Sequence, residues 1–153
     1  MAQVISGFPG VGKTHFCAAT AGVSDSDSSH FSWLPYPGER QRDPQWPLNY
    51  IGHIKRRLRR PEVSYILVSS HQEVRDALVA EGISFVLVYP APELREEYIQ
   101  RYIDRGNAPD FVTLLEANYT SWIEGLQHQA GCDHRLLQSG QYLSDVIARN
   151  KGR

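Results

Sequence analysis

Residues 7–14 read Gly7-Phe8-Pro9-Gly10-Val11-Gly12-Lys13-Thr14, and that spacing of glycines, one lysine and one hydroxyl is what gripping a run of phosphates requires. Gly7, Gly10 and Gly12 let the main chain enter left-handed conformations and approach phosphate oxygens, so that successive amides and a helix start point at one anion. Lys13 then brings a mobile positive charge to the outer phosphates, and the Thr14 hydroxyl offers an oxygen to Mg2+. Pro9, Val11 and His15 complete the residues expected against the triphosphate. The competing explanation is a ligand-free turn from strand to helix, but a bare turn needs neither the lysine nor the hydroxyl.

Moving a phosphoryl group onto an alcohol also requires an oriented acceptor hydroxyl, usually held by a carboxylate, and a second acid near the magnesium. Asp25 and Asp27 are spaced for this: two residues apart on an extended strand they share one face. Asp27 is the candidate base or hydroxyl-orienting group, and Asp25 the candidate for Mg2+ through water. The alternative for each is a capped turn with Ser28 and Ser29. Charge spread over a transferring phosphoryl group is best met by guanidinium forks, and Arg95, Arg101 and Arg105 lie along one helical stretch. Arg101 and Arg105 are expected to act in catalysis and Arg95 to bind the nucleotide. A solvated surface helix, with Glu93, Glu96, Glu97 and Asp104 as partners, is the competing account.

Two further clusters bear on the acceptor. Lys55-Arg56-Arg57-Leu58-Arg59-Arg60 concentrates five cations in six positions, enough to track a phosphate backbone or, equally, to complement the dipole at a helix C-terminus. Phe31, Trp33, Tyr36 and Trp46 lie in a loop rich in Pro and Gly, where rings can stack on a displaced base or pack the loop onto the core. Trp33, Tyr36, Arg56 and Arg57, with Asp27, form the expected substrate set.

These groups need a scaffold, and the alternation of apolar runs with amphipathic stretches predicts a parallel sheet with crossover helices. Strands are expected at residues 3–6, 22–24 (continuing toward the aspartates), 65–68, 84–88 and 134–138. Helices are expected at 13–19, 47–60, 71–81, 92–104, 109–127 and 141–150. With 153 residues and 41% hydrophobic content, the chain suits one domain with its own core. Its longest apolar runs have strand length, well short of the roughly 20 residues that span a bilayer. No basic, apolar, cleavable leader precedes the first strand, so the expected location is the cytoplasm. Cys17 and Cys132 lack metal-ligand spacing and are expected as thiols, and a net charge of −1 argues against a general nucleic-acid binder.

Taken together, these residues give a chain that resembles the small P-loop kinases of the adenylate kinase-like group, which includes nucleotide, shikimate and gluconate kinases. The resemblance implies a three-layer P-loop NTPase sandwich, an α/β fold with a parallel sheet of about five strands, a short LID over residues 92–108, and ATP with Mg2+. The Asp25/Asp27 pair looks like that of the shikimate kinase branch. Leu94-Arg95-Glu96-Glu97-Tyr98, through Arg101-Tyr102 to Arg105-Gly106-Asn107, looks like the LID. Asp27-Ser28-Ser29, Asn49-Tyr50-Ile51 with His53-Ile54-Lys55, and Ile66-Leu67-Val68-Ser69-Ser70-His71 resemble the phage-type kinases that phosphorylate 5-hydroxymethyluracil in DNA. For a phage-borne gene the expected location is the host cytoplasm. One departure stands out: Ser69-Ser70-His71 occupies the strand end where many P-loop NTPases carry a Walker B aspartate. That weakens a motor ATPase reading and places the magnesium on Thr14 with Asp25 or Asp27. A GTPase is disfavoured because Asn150-Lys151 lacks the following aspartate of the guanine signature.

Three functions compete: a kinase of a hydroxymethylated pyrimidine in DNA, a kinase of a free nucleoside, nucleotide or small metabolite, and a non-catalytic nucleotide-binding switch. An acidic pair beside an arginine-bearing helix has no use in a switch. Oligomeric state is not legible in the residues.

Overall fold

A computed structural model describes residues 2–26 and 43–147. Five strands form one parallel sheet: β1 (Gln3–Gly7), β2 (Val23–Asp25), β3 (Tyr65–Ser69), β4 (Phe85–Pro90) and β5 (Asp133–Leu137). Six helices are described: α1 (Lys13–Ala19), α2 (Leu48–Leu58), α3 (Gln72–Ala80), α4 (Arg95–Asp104, after a 3-10 turn at Pro92–Leu94), α5 (Pro109–Gln127) and α6 (Leu143–Val146). No helix among the described residues is long and apolar enough to cross a membrane.

The strand order is β2-β3-β1-β4-β5. β1, β3 and β4 are buried almost residue by residue; since successive side chains point to opposite faces, both faces of the central strands are covered. β1 runs up the middle. Its outgoing connection leads toward β2, while that of neighbouring β4 leads toward β5. The diverging connections open a crevice at the C-terminal edge of the sheet, which is where such sheets take ligands.

The described strands differ from the sequence expectation by one or two residues at their ends. Two differences matter for function. β2 stops at Asp25, although the Ser26 amide still donates to Leu67 O at 3.0 Å; Asp27, expected to share a strand face with Asp25, lies outside the described residues. The helix of the expected LID is also not a free flap: Tyr98, Ile99 and Tyr102 of α4 are buried. Their spacing gives α4 an apolar inner stripe, and that stripe docks it against α5 and the glycine loop. For the closing helix, four residues (Leu143–Val146) are described, and residues 148–150 lie outside.

Candidate functional site

The glycine-rich loop joins β1 to α1 at the diverging edge of the sheet. Two of its apolar residues are anchors: Phe8 and Val11 are buried, and Phe8 meets Tyr119 of α5 edge-on at 5.7 Å between ring centres. Fully burying one such ring contributes about 2 kcal/mol, so the loop is held from below by its own side chains. The Phe8 amide donates to Val88 O at 3.0 Å, which ties the loop to β4. Phe16, one turn into α1, packs edge-on against Tyr65 at 5.3 Å and fixes the helix to β3.

Between these anchors the backbone turns left-handed at Gly10 (φ 88°) and Gly12 (φ 95°). Any side chain is strained there. Gly12 is the N-cap of α1, and the amides of Thr14 and His15 in its first turn donate to no carbonyl among the described residues. The Lys13 ammonium folds back onto its loop and donates to Gly7 O at 2.9 Å. Thr14 and His15 are exposed.

This loop floors a cavity of about 970 Å³. Pro9, Gly10, Gly12, Lys13, Thr14 and His15 line it, together with Asp25, Arg101 and Arg105, so most of the expected site residues converge on one space. Ser26, Ser69, Tyr102, Asn107, Phe111 and Tyr142 also line it; Ser69, Tyr102 and Asn107 fall in stretches that carried the resemblance, whereas Ser26, Phe111 and Tyr142 carried no sequence signal for the site. Asp27, Trp33 and Tyr36 lie outside the described residues. Trp46 is described and packs on the core: it stands 5.7 Å from the Tyr50 ring and its indole N–H donates to Glu73 at 2.9 Å.

The arginines divide. Arg101 reaches under the glycine loop, donating to Gly10 O at 2.9 Å and to Gln141 O at 3.3 Å, and pairs with Glu97 at 3.2 Å. Its guanidinium lies between the Tyr98 and Tyr142 rings, 4.3 and 4.1 Å from their centres. Arg105 is exposed at the cavity mouth. Arg95 does not line the cavity; it donates to Glu116 O of α5 at 2.7 Å and pairs with Glu96, because the start of α4 faces α5.

Three tyrosines underlie the loop. Tyr102 donates to Pro9 O at 2.8 Å, and Tyr119 to Ala91 O at 3.0 Å. Burial raises the pKa of both, and pushes the Tyr98 hydroxyl up to about 12, so the cluster stays neutral beneath the loop. Cys17, on α1, packs on the core, its thiol pKa raised by burial and then by Asp25.

Arg56 and Arg57 belong to the last turn of α2. With eleven residues α2 is about 16 Å long, and its two ends lie at opposite ends of the sheet. Tyr50 near its start touches Ser26 at the cavity. Arg59 and Arg60, just past its end, border a groove with Gln3 and Tyr65, where β1 and β3 begin. Lys55 pairs with Glu81 and Arg60 with Glu62, whereas Arg56, Arg57 and Arg59 have no ion pair among the described residues.

Among the described residues no cluster of three His, Cys, Asp or Glu could hold a metal by itself. A magnesium ion that keeps waters and phosphate oxygens needs fewer protein ligands, and Thr14 and Asp25 share the cavity. Compared with known proteins, the chain matches no family model, and no curated protein is significantly similar to it.

Proposed function

We propose that this chain is a P-loop kinase, which takes the γ-phosphate of ATP with Mg2+ and places it on a hydroxyl group, the acceptor being 5-hydroxymethyluracil in DNA. One observation carries the reading: a strand, a glycine loop with two left-handed glycines, and a helix beginning at Lys13-Thr14 meet at the diverging edge of a parallel sheet, over a cavity of about 970 Å³. In this reading the loop amides and Lys13 hold the triphosphate. Thr14 and Asp25 face the magnesium, which neutralises charge between the phosphates. Asp25, or Asp27 beyond the described strand end, orients the acceptor hydroxyl and receives its proton as the oxygen attacks. Arg105, exposed at the mouth, is the arginine available to the transferring group without first leaving protein partners among the described residues.

The separation along α2 favours a second reading. Arg59 and Arg60, just past the end of α2, border the groove where β1 and β3 begin, and neither they nor Arg56 and Arg57 line the cavity. Arg59 and Arg60 can help bind an extended strand that follows α2, but none of these arginines lines the cavity that would take a single nucleoside. A free nucleoside, nucleotide or other small alcohol is therefore the alternative acceptor. Label transfer from γ-labelled ATP separates the two, with hydroxymethyluracil-containing DNA, the free nucleoside and its monophosphate offered in parallel. Label in the DNA supports the first reading, and label confined to a free compound replaces it with the second. If folded protein takes up no Mg2+-ATP in calorimetry, both fail.

A further inference from the structure

Ser26 follows Asp25 at the end of β2, where its residue is only 6% exposed yet lines the cavity. Four contacts hold it. Its amide donates to Leu67 O at 3.0 Å, its carbonyl accepts from Tyr50 OH at 2.6 Å, and its hydroxyl bonds His53 Nε2 at 2.9 Å and approaches Ser24 Oγ at 3.5 Å. Tyr50 and His53 lie one turn apart on α2, their rings stacked at 17° with centres 6.3 Å apart. Burial, then Arg57 and Arg56, hold the imidazole pKa below its ordinary value, so at neutral pH it meets the hydroxyl uncharged.

A strand end that needed only fastening would be served by the two main-chain bonds. The Ser26–His53 pair adds desolvated polar groups that an apolar pair of similar shape would avoid. What such a pair supplies is one fixed rotamer and one fixed backbone orientation at the cavity wall, directly between the two aspartates of the sequence.

We propose that His53 is the positioning residue of the acceptor side, acting through the Ser26 hydroxyl to fix the strand end that carries Asp25 opposite the glycine loop. The effect on turnover rests on the kinase reading; the effect on the strand end does not. In His53→Ala, kcat for phosphate transfer falls about tenfold or more, because small misplacements of reacting groups are costly. The Kd for Mg2+-ATP stays unchanged. Ser26→Ala has the same effect, the double variant is no worse than either single one, and His53→Gln, whose amide reaches the Nε2 position, recovers much of the rate. Hydrogen exchange supplies a readout without activity: the Ser26 amide exchanges faster in His53→Ala, while the Val11 amide in the glycine loop is unaffected. A His53→Ala kcat within twofold of the parent, additive single effects, or ATP binding lost in parallel overturns the proposal. Should the parent protein transfer no phosphate, the kinase reading fails and exchange alone decides. Unchanged Ser26 exchange in both His53→Ala and Ser26→Ala then overturns the positioning role as well.

Discussion

Arg101→Ala removes a side chain that joins three parts of the chain under the glycine loop. Its bond to Gly10 O at 2.9 Å is a full charge-to-carbonyl hydrogen bond, worth about 1.5 kcal/mol; the longer one to Gln141 O at 3.3 Å is worth about half that. The Tyr98 and Tyr142 faces, at 4.3 and 4.1 Å, contribute about 0.5 kcal/mol each, and the partly exposed Glu97 pair about 0.5 kcal/mol. The sum is roughly 3–4 kcal/mol, which for a chain of this size lowers Tm by about 10 °C. Urea unfolding followed by tryptophan fluorescence measures it. The midpoint falls while the m value holds, because the folded surface is little altered. Arg105→Ala is the control: its side chain is exposed with no hydrogen bond or ion pair among the described residues, and it should stay within about 0.5 kcal/mol of the parent. Arg101→Lys recovers less than half, since an ammonium neither forks between two carbonyls nor stacks as a plane. If Arg101→Ala unfolds at the parent's midpoint, or no earlier than Arg105→Ala, the guanidinium does not fasten the loop and the reasoning is wrong.

Other expectations concern the loop and its surroundings. Lys13→Ala should abolish phosphate transfer and weaken Mg2+-ATP binding in calorimetry, with the fold retained by circular dichroism. Gly10→Ala places a Cβ 2.9 Å from the Tyr102 ring at a φ of 88°, and should cost at least about 2 kcal/mol in urea unfolding. The Glu97 pKa is lowered chiefly by the Ser139 hydroxyl; burial opposes this, and the Gly140 amide and Arg101 lower it further. Its contribution to stability is therefore complete above its unfolded value of about 4.3 and lost as pH falls through the lower folded value. Glu97→Gln forfeits that contribution at neutral pH, so its stability curve should lie below the parent's at pH 7 and converge with it in acid. Replacing Arg56, Arg57 and Arg59 together by Gln should flatten the salt dependence of binding to hydroxymethyluracil-containing DNA; an unchanged slope returns them to a surface role.

Much of the architecture was legible from local pattern. Short apolar runs and helical spacing located every described strand and helix of any length, and α1 and α5 begin and end at the expected residues. The glycine loop announced itself because its chemistry is contiguous: eight neighbouring residues carry the backbone freedom, the ammonium and the hydroxyl. Residues 95–104 read as an arginine-bearing helix, and by resemblance as part of a LID, since charge dominates the stretch. Tyr98 and Tyr102 counted for less on paper than the four glutamate and arginine neighbours around them, yet they are the residues that dock it.

What local pattern could not supply is partnership across the chain. Strand order β2-β3-β1-β4-β5 is set by which sheet edges and helix faces bury most surface together, a property of the whole assembly. Arg101 finds Gly10 91 positions away, and His53 finds Ser26 27 positions away. Arg59 and Arg60 lie at the far end of the sheet because α2 runs antiparallel to the strands it covers. Contiguous residues declare the chemistry of a loop; which distant side chains hold that loop in shape depends on packing, and packing exists only once the chain has closed on itself.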